Sequence, residues 1–138
     1  MKRVLFDVNV VLDVLLDRKP HAEGSAAAWA LVETGIAEGL LAAHAVTTIH
    51  YLVCKEAGSA KAREIVSSLL KVFSVAPVDG ALIQEALHLP CADFEDAVTA
   101  AAARQGNCDY IVTRDPKGFR GSLVRPLTPE MVTPLCTR

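Results

Sequence analysis

The sequence predicts an α/β domain, a three-layer α/β/α sandwich whose central, mainly parallel sheet is covered on both faces by helices. Three observations carry this. The candidate strands, such as "RVLF" and "YIV", are short unbroken apolar runs, the pattern of strands buried on both faces. One or two helical segments separate successive strands, as parallel connections require. Half the chain is hydrophobic (51%) but only 5% is aromatic, so the core is built from Ala, Val, Leu and Ile.

The elements follow in order. "RVLFDV" reads as a buried strand, and "NVVLDVLLD" as a helix with Asn9 at its N-cap. "HAEGSAAAWALVETG" reads as a second helix stopped by Gly35. "GLLAAHA" is the next strand, followed by a helix over "VTTIHYLVCKEAG". Ser59 is placed to cap a helix over "SAKAREIVSSLLKVF", which carries Ile65, Val66, Leu69 and Leu70 on one face. "FSVAPV" is a strand, and Asp79 caps "DGALIQEALHL". A helix from Asp93 runs to Gly106, and "DYIVT" has high strand propensity. "DPKG" is a turn, "VRPL" a short strand, and "TPEMV" a last helical turn with Pro129 at its first position.

The 138 residues suit a single domain spanning 1–138. A net charge of −2 excludes the strongly basic footprint of a general nucleic-acid binder. Cys54, Cys91, Cys108 and Cys136 lack zinc-ligand spacing and read as reduced cysteines of a cytoplasmic protein. Asp7 and Asp13 interrupt the apolar start, so it is not read as a signal peptide. No run is long and apolar enough to suggest a membrane partner.

Acids mark the sheet edge where ligands gather in such folds. Asp7 ends the first strand, Asp115 follows "DYIVT", and Asp93 and Asp96 open a helix three residues apart. Converging carboxylates repel unless a cation lies between them. Mg²⁺ and Mn²⁺ suit such hard oxygen ligands. Each acid also has a purely local explanation. Asp93 and Asp96 suit a capped helix start, Asp7 a cap of the next helix, and Asp115 the opening of the DPKG turn. Asp7 is the hardest to dismiss, because a carboxylate after an apolar run needs compensation.

Three segments carry a resemblance. "VLFDVNVVLDVLL", "AAHAVTTIHYLVCK" and "DFEDAVTAAAARQGNCDYIVTRDPKGF" resemble, in order and spacing, the PIN domain of the VapC-like toxin ribonucleases. The resemblance implies that Asp7, Asp96 and Asp115 are catalytic metal-binding acids, with Asp93 a further acid of one branch. It implies that Asn9 and Thr113 are polar neighbours of the metal. It also implies Mg²⁺- or Mn²⁺-dependent cleavage of RNA, a small antitoxin partner and a homodimer. One position departs: where many members carry a Glu, this chain has His50. Imidazole is a poorer Mg²⁺ ligand than carboxylate, but it is able to ligate Mn²⁺, touch a phosphate or act as a base. The plainer reading of His50 is a polar residue lining the cleft.

Arg114 and Lys117 are candidate RNA contacts, with Arg120, Arg18 and Lys19 behind them. For each, a solvated surface position is the plainer reading. His21, His44 and His88 show no ligand spacing, and Trp29 and Tyr51 read as core or dimer contacts. Three functions compete. The first is a metal-dependent endoribonuclease of a toxin–antitoxin pair. The second is a catalytically weak or inactive PIN-fold protein that binds RNA or protein. The third is a phosphotransfer domain using Asp7 as nucleophile, which lacks the usual neighbouring acid, because Asn9 stands there, and a clear partner lysine.

Overall fold

The computed structural model describes residues 1–137. Its elements are β1 (Lys2–Phe6), α1 (Val8–Leu15), α2 (Ala22–Glu33), β2 (Ala37–Ala42), α3 (Ala43–Ala57), α4 (Ser59–Val72), β3 (Ser74–Ala76), α5 (Gly80–Ala86), α6 (Phe94–Gln105), β4 (Tyr110–Val112), β5 (Arg125–Leu127) and α7 (Pro129–Cys136). A 3₁₀ turn, Pro116–Phe119, joins β4 to β5. The five strands lie in the order β3-β2-β1-β4-β5, and every pairing is parallel. This is the three-layer α/β/α architecture expected from the sequence.

The winding sets the site. From β1 the chain steps outward through β2 to β3, then returns past both to β4 and steps the other way to β5. Parallel crossovers are right-handed, so the return path through α5 and α6 runs on the sheet face opposite α1–α4. The direction reverses between β1 and β4, and the strand ends part there into a crevice. Asp7 follows β1 and Thr113 follows β4.

The core explains the unbroken apolar runs. Val4, Leu5 and Phe6 are all buried, as are Leu40, Leu41 and Ala42, because helices cover both faces. Phe73 anchors one side, edge-on to Phe6 at 5.1 Å and to Trp29 at 5.3 Å between ring centroids. Each such pair adds about 0.5–1.5 kcal/mol beyond the area it buries. Trp29 is thus a core residue, whereas Tyr51 is exposed beneath the Lys55 ammonium. Gly39 makes room for this cluster, since a Cβ there would lie 2.7 Å from both Phe73 and Val32. On the opposite face Ala97, Ala100, Ala101, Ala102 and Ala103 of α6 are all buried, letting that helix lie close against β2, β3 and β4.

Several boundaries differ from the sequence reading. Asp7, not Asn9, caps α1, accepting from Val8 N at 2.9 Å. Gly58, at φ 87°, precedes α4, and Ser59 makes no cap bond. The second strand ends at Ala42 and the helix begins at Ala43, because alanines satisfy either pattern. "TPEMV" opens an α-helix that continues to Cys136. Three helices end in a Schellman turn, with Asp17, Gly35 or Asn107 left-handed. At α1 the Arg18 N–H bonds Asp13 O and the Asp17 N–H bonds Val14 O. Asp and Asn tolerate this region better than other non-glycine residues.

Gly39→Ala is expected to destabilise the fold by about 1–3 kcal/mol, because Phe73 and Val32 have nowhere to move. Urea unfolding of the variant checks this, and an unchanged midpoint would refute the close-packing argument.

Candidate functional site

The crevice is built from the β1 and β4 strand ends. The Asp7 N–H continues the strand ladder by donating to Val112 O at 2.9 Å. Its Oδ1 accepts from Val8 N at 2.9 Å, and its Oδ2 accepts the Thr113 hydroxyl at 2.9 Å. Thr113 is fully buried, and its Oγ1 also accepts from Asp115 N at 3.1 Å. One threonine therefore fixes both acids of the β1–β4 edge.

The third acid arrives from α6. Asp93 caps that helix by accepting from Asp96 N at 3.2 Å. Among the described residues the carboxylate of Asp96 makes no return bond to the cap, so a full capping box is not formed. Its position is marked by Gly118 in the 3₁₀ turn. A Cβ built there would meet Asp96 Oδ2 at 2.9 Å and Asp115 Oδ2 at 3.2 Å. Both carboxylates thus border one small space that only glycine leaves open.

Electrostatics agree with this convergence. Burial pushes the Asp7 carboxyl up, against the Thr113 and Val8 hydrogen bonds that hold it down. Asp96 is pushed up to about 6 by burial and by the charges of Asp7, Asp93, Glu95 and Asp115. Glu95 is exposed, but its charge also acts on Asp7 and His44. It belongs to the same field.

The space beside Gly118, the hard-oxygen donors and their mutual repulsion fit a divalent cation. Among the described residues, no three His, Cys, Asp or Glu side chains are gathered tightly enough to close on one ion as they stand.

The polar and basic candidates divide. Asn9 is exposed and accepts from Arg18 Nη1 at 3.4 Å. Lys117 and Arg120 are exposed on the turn beside Asp115. Arg114 points elsewhere: its Nε lies 2.8 Å from Oδ2 of Asp13, which is wholly buried. The contact is an ion pair without an aligned hydrogen bond, since Arg114 Nε and Asp13 Oδ1 both lack a hydrogen-bond partner. Ser25 Oγ donates to the same carboxylate oxygen at 3.2 Å. The pair ties the loop bearing Thr113 and Asp115 to α1 and α2. An acid at position 13 inside an apolar helical run was the sequence signal for such a partner.

His50 and His44 both lie on α3, six residues apart. His50 is half-buried and has no hydrogen bond to the acids among the described residues. His44, in the first turn, is the histidine at the crevice, with Nε2 3.3 Å from Thr99 Oγ1 on α6. The sequence reading missed it because the blurred strand boundary placed His44 inside the strand. A separate hollow of about 490 Å³ beside Val14, Lys19, Pro20 and Glu23 includes none of these acids.

The fold and site together define a parallel α/β domain with carboxylates from three segments brought to its switch point. The PIN domain family model matches residues 3–117, and the chain belongs to the PIN domain family. Ribonuclease VapC1 of Aquifex aeolicus (strain VF5) is 23% identical over 134 residues, covering 94% of this chain and 92% of its own. The VapBC2 structure from Rickettsia felis, bound to a DNA fragment from its promoter, superposes with TM-score 0.71 at 12% identity, over 91% of this chain and 98% of that one. A toxin–antitoxin complex from Klebsiella pneumoniae gives 0.69 at 18% identity, over 91% and 97%.

Two outcomes follow. The raised Asp96 carboxyl binds its proton more tightly folded than unfolded, so its contribution favours folding fully below 3.8 and is lost as pH rises through about 6. In chelator, Asp96→Asn is expected to raise the melting temperature at pH 7.5, with the gain shrinking towards pH 4. A gain independent of pH would refute the charge argument. Arg114→Met strands the buried Asp13 and is expected to cost about 3–5 kcal/mol. Adding Asp13→Leu should recover much of that in denaturant unfolding, and strict additivity would refute the coupling.

Proposed function

We propose that this chain is a divalent-cation-dependent endoribonuclease of the VapC-like toxin type, acting on RNA in the cytoplasm. The observation that carries the reading is the approach of Asp96 and Asp115 at the space that Gly118 keeps open, with Asp7 tied to the same edge through Thr113 and its charge acting on Asp96. The relatives support it: the VapC1 match is named a ribonuclease, and one matching structure is a toxin–antitoxin complex. By the same likeness, a small antitoxin is the proposed partner and a homodimer the proposed assembly.

Asp7, Asp96 and Asp115 would hold Mg²⁺ or Mn²⁺, with Asp93 in support. A cation there would supply Lewis acidity for the phosphodiester and lower the pKa of water. The protein's own part is placement. Thr113 and the Val8 amide keep Asp7 oriented, and Thr113 sets the Asp115 backbone. The Asp13–Arg114 pair holds the loop that carries them. Arg114 therefore supports the site from below, while Lys117 on the exposed turn is free to meet the RNA backbone as a point charge. Arg18, held over Asn9, offers a second cation at the mouth.

RNA cleavage in Mn²⁺ tests the proposal. Asp7→Asn is expected to lower the rate at least about 100-fold, the scale of losing several kcal/mol of electrostatic stabilisation, and chelation should abolish it. If the parent protein cuts no better than Asp7→Asn, the alternative is favoured: an inactive PIN protein that binds RNA or protein. The departure at His50, where many members of the family carry a Glu, is what motivates that alternative.

A further inference from the structure

We propose that His44 is the nitrogen ligand of the cation site, and that it tunes this site towards Mn²⁺ over Mg²⁺. The inference rests on the cation-binding reading above and adds a ligand that the acids alone do not imply.

The argument begins at Thr99. Its Oγ1 lies 3.0 Å from Glu95 O and 3.3 Å from His44 Nε2. A hydroxyl has one proton, and the carbonyl can only accept it. Towards His44 the oxygen must therefore accept, and Nε2 carries the hydrogen. The lone pair of the neutral ring is left on Nδ1.

Nδ1 is buried and has no hydrogen-bond partner. Such an orphan is uncommon and calls for a role. Its surroundings suggest one. His44 lies in the first turn of α3, just past the carboxyl end of β2, and β2 is the immediate neighbour of β1. The charges of Glu95 and Asp7 both reach the ring, while burial lowers its pKa and favours the neutral form. A metal-ligating histidine shows this arrangement: one nitrogen donates to a fixed acceptor, which sets the tautomer, and the other presents its lone pair.

The chemistry of the donor decides the ion. Mg²⁺ demands oxygen ligands and a near-ideal octahedron. Mn²⁺ accepts the same carboxylates but tolerates imidazole better than Mg²⁺ does. A cleft with several carboxylates and one imidazole therefore discriminates between two ions of equal charge. Thr99 is a positioning residue in this scheme, since it touches the ring and not the cation.

The test uses the intact chain without RNA, so its result is separate from nuclease activity. Calorimetric titration with MnCl₂ and with MgCl₂ should show tighter Mn²⁺ binding. His44→Gln, which keeps most of the volume, should weaken Mn²⁺ about 10–100-fold, the scale on which even supporting groups of metal sites act, and leave Mg²⁺ nearly unchanged. Thr99→Val should lose part of the Mn²⁺ affinity by freeing the ring. His44→Glu should shift preference to Mg²⁺. Pulsed electron paramagnetic resonance of the Mn²⁺-loaded parent should show ¹⁴N modulation that changes to the ¹⁵N pattern on histidine labelling. That arm needs no variant, so misfolding cannot excuse a failure. Absence of nitrogen coupling, or unchanged Mn²⁺ affinity in folded His44→Gln, overturns the proposal. Nitrogen coupling without RNA cleavage would sink the nuclease reading and leave this one standing.

Discussion

The hydrogen bond from Thr113 to Asp7 is the contact on which the crevice depends. It spans 106 positions in the chain and 2.9 Å in space, and it exists because the sheet reverses its winding between β1 and β4. Without that reversal a helix crossover would fill the gap between the two strand ends. With it, an acid from one strand and a hydroxyl from the other meet where no secondary structure covers them. The hydroxyl restrains the carboxylate, and burial works against it. The acid is thus oriented, while burial outweighs the hydrogen bonds and the Arg114 charge that favour its ionised form.

Around that contact the molecule divides its charges by depth. Asp13 and Arg114 are paired within the protein, beneath the loop they hold. Asp96, Glu95 and Asp115 are left at the surface of the crevice without a cationic partner among the described residues. The buried pair serves geometry, and the outer set is left unpaired among the described residues. A single arginine beside Asp115 in sequence belongs to the first group, although adjacency alone would place it in the second.

Much of this was legible in the residues. The alternation of apolar runs and helical segments gave the layers, and the acids at Asp7, Asp96 and Asp115 stood where strand ends and a helix start fall. Other features were not legible, for physical reasons. Alanine favours helix but is small and apolar enough to extend a buried strand's pattern, so the Ala42–Ala43 boundary slid three residues and hid His44. Arg114 reads as a surface cation because its partner lies 101 positions away in sequence, and only packing brings Asp13 beneath it. Gly118 read as a turn residue, whereas its missing side chain is what leaves space between two carboxylates.

The buried alanines of α6 have a consequence beyond close packing. That helix is a stiff rod, about 18 Å long for its 12 residues, with Asp93 and Asp96 at one end and Ala100 to Ala103 along its body. Aspartate reaches only one methylene from its backbone, so the distance from helix to sheet is also the distance from Asp96 to its partners. A methyl group added deep in the core would lift the rod and move the acids, touching none of them. The crevice is therefore mechanically coupled to residues that carry no charge and no polarity, and its chemistry is inherited partly from the smallest side chains in the protein.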